Sequence, residues 1–150
     1  MLLYRICRAA YAGDLSGQGA KLYGGRWNSI GKPMVYMASS RSLAILEVLV
    51  HLQPMMVPHD FTITTFEAPD NTAFVNADTL PEGWNDFPEP DYLKAIGNDF
   101  LNKNEHLFLK VPSAIVKQEF NYLLNPLHAD IHQIKVVETT PFAFDIRLIK

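Results

Sequence analysis

Four groups of residues in this chain have the types and spacing to do chemistry. Gly24-Gly25-Arg26-Trp27-Asn28 sets a guanidinium beside two glycines. Glycines let a ligand approach the backbone closely, and the planar arginine fork matches phosphate oxygens. The same string also suits a plain turn with a surface arginine. Glu47 is the one charge in the apolar window Ala44-Ile45-Leu46-Glu47-Val48-Leu49-Val50. A carboxylate among apolar neighbours needs a partner or a cavity, unless it occupies the one solvent-facing stripe of a helix. His51, four residues on, is spaced to be that partner. Tyr36 stands mid-strand and is followed by small residues, a setting that mostly makes a tyrosine core. Val111-Pro112-Ser113-Ala114 and Asn121-Tyr122-Leu123-Leu124-Asn125-Pro126 can present a serine and asparagines to a cleft from a strand end. Asn125-Pro126 is equally ordinary turn chemistry.

Two further patterns are weaker. Gly17-x-Gly19 with Gly24 imitates a dinucleotide loop, but no strand leads into it and no helix is expected to open at the right distance. His128-x-Asp130-x-His132 would put three metal-ligand types on one face if that segment were extended. The preceding Asn-Pro and the want of further ligands argue against a metal site.

These residues need elements to position them. Leu2 to Cys7 reads as a strand, followed by a flexible small-residue stretch from Ala12 to Gly25 that holds five glycines. Residues 33–38 read as a strand. Ser39 and Ser40 offer an N-cap to a helix from Leu43 to Leu52, apolar nearly all round and so expected to be buried. Phe61 to Phe66, with Thr-Ile-Thr-Thr at its centre, reads as a strand. Residues 69–90, with four prolines, read as an irregular crossover. Tyr92 to Leu101 has helical spacing, and Leu107 to Val111 reads as a strand ending at Pro112. Ile134 to Ile149 predicts one or two strands broken near Pro141. The sum is a mixed α+β fold with more strand than helix.

Composition narrows the function. A length of 150 residues suits one domain, and 48% hydrophobic residues supply one core. A formal net charge of −3 gives no general pull on DNA or RNA, so direct nucleic-acid binding by the chain alone is not expected. The single cysteine, Cys7, excludes an internal disulfide and a Cys-based zinc site, and suits a reducing compartment. No signal peptide or membrane span is expected, which predicts a cytoplasmic protein.

Taken in order, Leu3-Tyr4-Arg5-Ile6, Gly25-Arg26-Trp27-Asn28, Val35-Tyr36-Met37-Ala38, Leu46-Glu47, Val111-Pro112-Ser113-Ala114-Ile115, Asn121 to Pro126 and Phe142 to Leu148 resemble the RES domain, named for Arg, Glu and Ser. The resemblance covers nearly the whole chain, residues 1–150. It implies the toxin of a bacterial type II toxin–antitoxin pair, with an Xre-type helix-turn-helix antitoxin as partner. It implies a fold similar to ADP-ribosyltransferases, a split β core with helices around an NAD cleft. The implied activity is cleavage of the nicotinamide–ribose bond of NAD, with water or phosphate as acceptor. ADP-ribose transfer to a protein is the alternative. No cofactor is implied beyond NAD as substrate, and a homodimer is left open.

By the same resemblance, Arg26, Tyr36, Glu47 and Ser113 are the family's critical residues, with Arg5 and Asn121 as weaker carry-overs. The chemistry suits these types. Nicotinamide leaves as a neutral molecule, and the transition state is an oxocarbenium-like ribose. Glu47 would stabilise that positive charge and hold a ribose hydroxyl. Arg26, with Arg5, would clamp the pyrophosphate. Tyr36 would pack against nicotinamide. Ser113 would hydrogen-bond the nucleotide, and nothing pairs it with a base that would make it a nucleophile.

Overall fold

A computed structural model describes residues 1–149. Its core element is the seven-residue strand β1, Leu2–Arg8, which alternates its side chains between two buried surfaces. Leu3 joins one core with Val35, Met37, Phe66, Leu107, Phe108 and Leu124. Ile6 joins another with Ala38, Leu43, Ala44, Phe61 and Phe144. A sheet buried on both faces needs covers on both.

The elements follow in chain order: α1 Gln18–Tyr23, β2 Val35–Ala38, α2 Arg41–Leu49, β3 Phe61–Glu67, β4 Thr72–Phe74, α3 Tyr92–Lys103, β5 Phe108–Pro112, β6 Phe120–Leu124 and β7 Lys135–Pro141. The strands form one sheet in the order β4-β5-β6-β2-β1-β3-β7. All pairs are antiparallel except β4 with β5. This is the α+β class expected from the sequence.

The sheet is two ribbons joined at a seam. β1 pairs along its whole length with β3, from Leu2↔Glu67 to Arg8↔Phe61. β2 pairs along its whole length with β6, from Val35↔Leu124 to Ala38↔Asn121. Between β1 and β2 the register holds a single pair, Tyr4↔Ala38. That seam is where the β core divides, and α2 sits across it: its Leu43 and Ala44 pack beside Ala38 of β2 and Ile6 of β1.

α2 starts where the serine cap predicts, with Ser40 Oγ accepting from Leu43 N at 3.1 Å. It ends at Leu49 rather than Leu52, because His51 N and Leu52 N turn to the carbonyls of Val48 and Leu49 and tighten the chain out of the helix. It is also less enclosed than its composition suggests. Only Leu43 and Ala44 are buried, since one helix face is enough to cover the seam.

Three segments differ from the sequence reading. The small-residue stretch contains α1, which opens after Gly17 in the left-handed region at φ 69°. A side chain at Gly17 would collide with the Met34 backbone, so the loop is held tightly against the start of β2. The proline-rich crossover contains β4, which lies parallel to β5. Phe120–Leu124, to which the sequence reading assigns no element, is β6, between β5 and β2. The tail makes one strand, β7, ending at Pro141 within the one or two strands expected, followed by a 3-10 turn at Ile146–Leu148.

Candidate active site

Glu47 projects from the last turn of α2 toward the joined strands. Its Oε1 accepts two hydrogen bonds, from Ser113 Oγ and from Asn121 Nδ2, both at 2.7 Å. The other carboxylate oxygen has no protein donor among the described residues, so the pair of bonds fixes the plane of the group and leaves one oxygen for a ligand. Both donors lie at the ends of paired strands: Ser113 follows β5, and Asn121 in β6 pairs with Val111 and Ala38. His51 makes no bond to Glu47 and is exposed, because α2 has ended before it.

Ser113 is fully buried. It donates to Glu47 and accepts from the backbone N–H groups of Ile115 and Val116, each at 3.1 Å. A hydroxyl has one proton and two lone pairs, and all three are in use. The Ser113 side chain thus holds Glu47 and the turn after β5. Asn121 keeps its Oδ1 free of protein donors among the described residues.

The Arg26 turn is built from within and from outside. Gly25 N donates to Asn28 O at 3.0 Å, closing the turn. Asn28 is fully buried, and its amide donates to Ala20 O at 2.8 Å and Lys32 O at 2.9 Å. Tyr36 OH donates to Asn28 Oδ1 at 2.6 Å and accepts from Trp27 N at 3.1 Å. A side chain at position 25 would strike the Tyr36 hydroxyl, which explains the second glycine. Burial pushes the Tyr36 hydroxyl well above the ordinary tyrosine range, so it stays protonated as a donor.

Arg26 Nη1 donates to the carbonyls of Trp84 at 3.2 Å and Asp86 at 3.1 Å. These anchors lie in the crossover, and the sequence reading missed them because a backbone carbonyl has no residue signature. Nearby Glu89 has its carboxyl held below the usual range, first by its own backbone N–H and then by Lys94 and Arg26, against the opposing effect of burial. The two parts of the site meet on β2. Tyr36 and Ala38 share one face of that strand; Tyr36 braces the Arg26 turn while Ala38 pairs with Asn121.

Arg5 is not brought into this group. It alternates with Tyr4, the partner of Ala38, and so leaves the opposite face of the sheet. Its guanidinium donates to Asp14 O at 2.6 Å, pinning the loop after β1. A cation that the sequence reading did not single out, Arg41 at the start of α2, stacks 4.5 Å over the Tyr4 ring. His128, Asp130 and His132 lie in or next to a 3-10 helix, so the extended geometry that would align them is absent. His128 Nδ1 accepts from Asp130 N at 3.0 Å and caps that helix. Among the described residues no group of three or more His, Cys, Asp or Glu could hold a metal ion. A cavity of about 230 Å³ between α3 and the β4–β5 edge is lined by Ala73, Ile96, Phe100 and Leu109, and neither Glu47 nor Arg26 lines it.

An oriented carboxylate and a braced arginine turn are thus tied to the same strand, β2, and comparison with known proteins places the chain in a family. The family model described as "RES domain" matches residues 2–145. Over 153 aligned positions the chain is 43% identical to "Toxin Res" of Photorhabdus laumondii, covering 100% of this chain and 98% of that protein. It is 38% identical to the "Prs ADP-ribosylating toxin" of a Sphingobium species, covering 95% of this chain and 91% of that one. Among solved structures, the toxin–antitoxin complex MbcT–MbcA of M. tuberculosis contains a chain of the same fold, with a TM-score of 0.76 at 19% identity. That match covers 94% of this chain and 83% of the other. The chain belongs to the RES domain family. Among its described residues, no helix is long and apolar enough to cross a membrane.

Proposed function

We propose that this chain is the toxin of a toxin–antitoxin pair and that it destroys NAD by breaking the nicotinamide–ribose bond, passing ADP-ribose to water or phosphate. The observation that carries this reading is the double hydrogen bond to Glu47 Oε1, which presents the second carboxylate oxygen in a fixed direction. A preoriented negative charge stabilises the positive charge that develops on the ribose as nicotinamide departs, without reorganisation during the reaction. Asn121 Oδ1 would accept from a ribose hydroxyl beside Glu47. The unused guanidinium nitrogens of Arg26 would take the pyrophosphate while Nη1 stays anchored to Trp84 and Asp86. The exposed part of the Tyr36 ring would line the nicotinamide side.

The test is to incubate the purified protein with NAD alone and to measure nicotinamide and ADP-ribose. Stoichiometric release supports the reading, and intact NAD overturns it. A second reading, transfer of ADP-ribose to a protein, is favoured by the printed name of the Sphingobium relative. It requires that NAD be consumed only when the target protein is present. An Xre-type antitoxin is the proposed partner, in keeping with the similarity to a chain from a toxin–antitoxin complex.

A further inference from the structure

α3 supplies no residue to the candidate site, yet its backbone lies directly against the Arg26 turn at Gly97. Gly97 is buried in α3, and a side-chain carbon there would overlap the carbonyl oxygen of Trp27. The glycine is what lets the helix backbone lie against the turn. The next residue, Asn98, grips the turn from the same helix. Its Oδ1 accepts from Ser29 N at 3.1 Å, and its Nδ2 donates to Ser29 Oγ at 2.8 Å. Both bonds span 69 residues of sequence, so they tie the turn to a distant element and not to its own neighbourhood. Asn102, one helical turn further on, reaches only the exposed Lys32 side chain, at 3.0 Å.

We propose that Gly97 and Asn98 are positioning residues for Arg26, setting how tightly the protein holds the pyrophosphate of its dinucleotide and leaving the bond-breaking step alone. The inference rests on the NAD reading above. The turn carries Arg26 between two fixed points, the Tyr36 hydroxyl inside and the Asn98 amide outside. Removing the outer point lets the guanidinium wander relative to the strand that holds Asn121. Glu47 is oriented by Ser113 and Asn121, neither of which touches α3 through a hydrogen bond. Loss of the clamp therefore weakens binding without disturbing the carboxylate.

The experiment compares Asn98→Ala, Asn98→Asp and, as a control on the same helix, Asn102→Ala. Asn98→Ala should raise KM for NAD about tenfold and leave kcat within about twofold. Asn98→Asp keeps an acceptor for both Ser29 groups and should recover most of the loss. Asn102→Ala should match the wild type. Amide exchange at Trp27 and Ser29 should quicken in Asn98→Ala and stay protected in the control. Gly97→Ala should resemble Asn98→Ala where it folds, but the asparagine pair decides the matter. An unchanged KM, an equal fall in kcat, or unaltered exchange at Trp27 and Ser29 would overturn the proposal. A wild-type protein that leaves NAD intact overturns the functional reading instead, and amide exchange then still decides whether Asn98 holds the turn.

Discussion

Asn121 and Glu47, 74 residues apart in sequence, share a hydrogen bond of 2.7 Å that runs from a strand amide to a helix carboxylate across the divided sheet. With the matching bond from Ser113, it fixes the one acidic side chain that an apolar helix would otherwise reject. The helix covers the seam and the strands aim its carboxylate.

Glu47→Gln should remove the charge and keep the shape, since an amide oxygen still accepts from Ser113 and Asn121. The variant should fold normally. NAD turnover should fall by roughly 10²–10³-fold, the usual loss for one preorganised electrostatic group. Circular dichroism and nicotinamide release are the measurements, and a folded variant with wild-type turnover would remove Glu47 from the mechanism.

Ser113→Ala should cost stability as well as rate. It deletes one donor to Glu47 and removes the acceptor of two part-buried backbone N–H groups, of Ile115 and Val116, a loss of about 1–3 kcal/mol in all. Residual turnover should remain because Asn121 still holds Glu47. Mass spectrometry of the wild type during turnover should find no adduct on Ser113. A trapped ADP-ribosyl serine at that position would contradict the hydrogen-bond saturation seen here.

Arg26→Lys preserves charge but loses the fork that binds two carbonyls and phosphate together. NAD affinity measured by calorimetry should drop by about tenfold or more, the equivalent of roughly 1.4 kcal/mol. Unaltered affinity would mean that Arg26 only braces the crossover.

Tyr36→Phe leaves Trp27 N and Asn28 Oδ1 without their partner, so it should destabilise the protein by about 1–3 kcal/mol in urea titration. The pH dependence has a definite sign. The folded-state hydroxyl titrates above its ordinary value of 10.0, so the folded protein keeps a proton that the unfolded chain gives up. The stability from Tyr36 is thus complete below about pH 10 and lost as pH rises beyond it. Wild type should lose more stability than Tyr36→Phe between neutral and strongly alkaline pH. Parallel curves for the two proteins would show that the hydroxyl ionises as freely folded as unfolded.

A cognate Xre-type antitoxin should inhibit by covering the surface that holds Arg26 and Glu47, and should therefore compete with NAD. Raising NAD in the presence of limiting antitoxin should restore turnover. Inhibition independent of NAD would place the contact elsewhere.

How much of this was legible before folding depends on the range of the interaction. Alternation and helical spacing report whether a residue faces a core, and they carried β1, β2, α2, β3, α3 and β5 to within a few residues. Glu47 announced itself because charge in an apolar window has an energetic cost wherever the chain goes. β6 gave no such signal. Its asparagine and tyrosine suit a loop as well as a strand, and only pairing with β5 and β2 on either side made it one.

What the amino-acid order determined by itself was the set of reactive groups, the strand-rich α+β class and the isolation of Glu47. What tertiary structure alone decided was their wiring. Ser113, a candidate nucleotide contact in the sequence, braces Glu47 from 66 residues away. Arg26 found its carbonyl anchors 58 and 60 residues away, and Arg5 went to the other face of the sheet. Periodicity records burial, which each residue meets almost on its own. A hydrogen bond needs two groups at one point in space, and the chain reaches that point only after the sheet has closed.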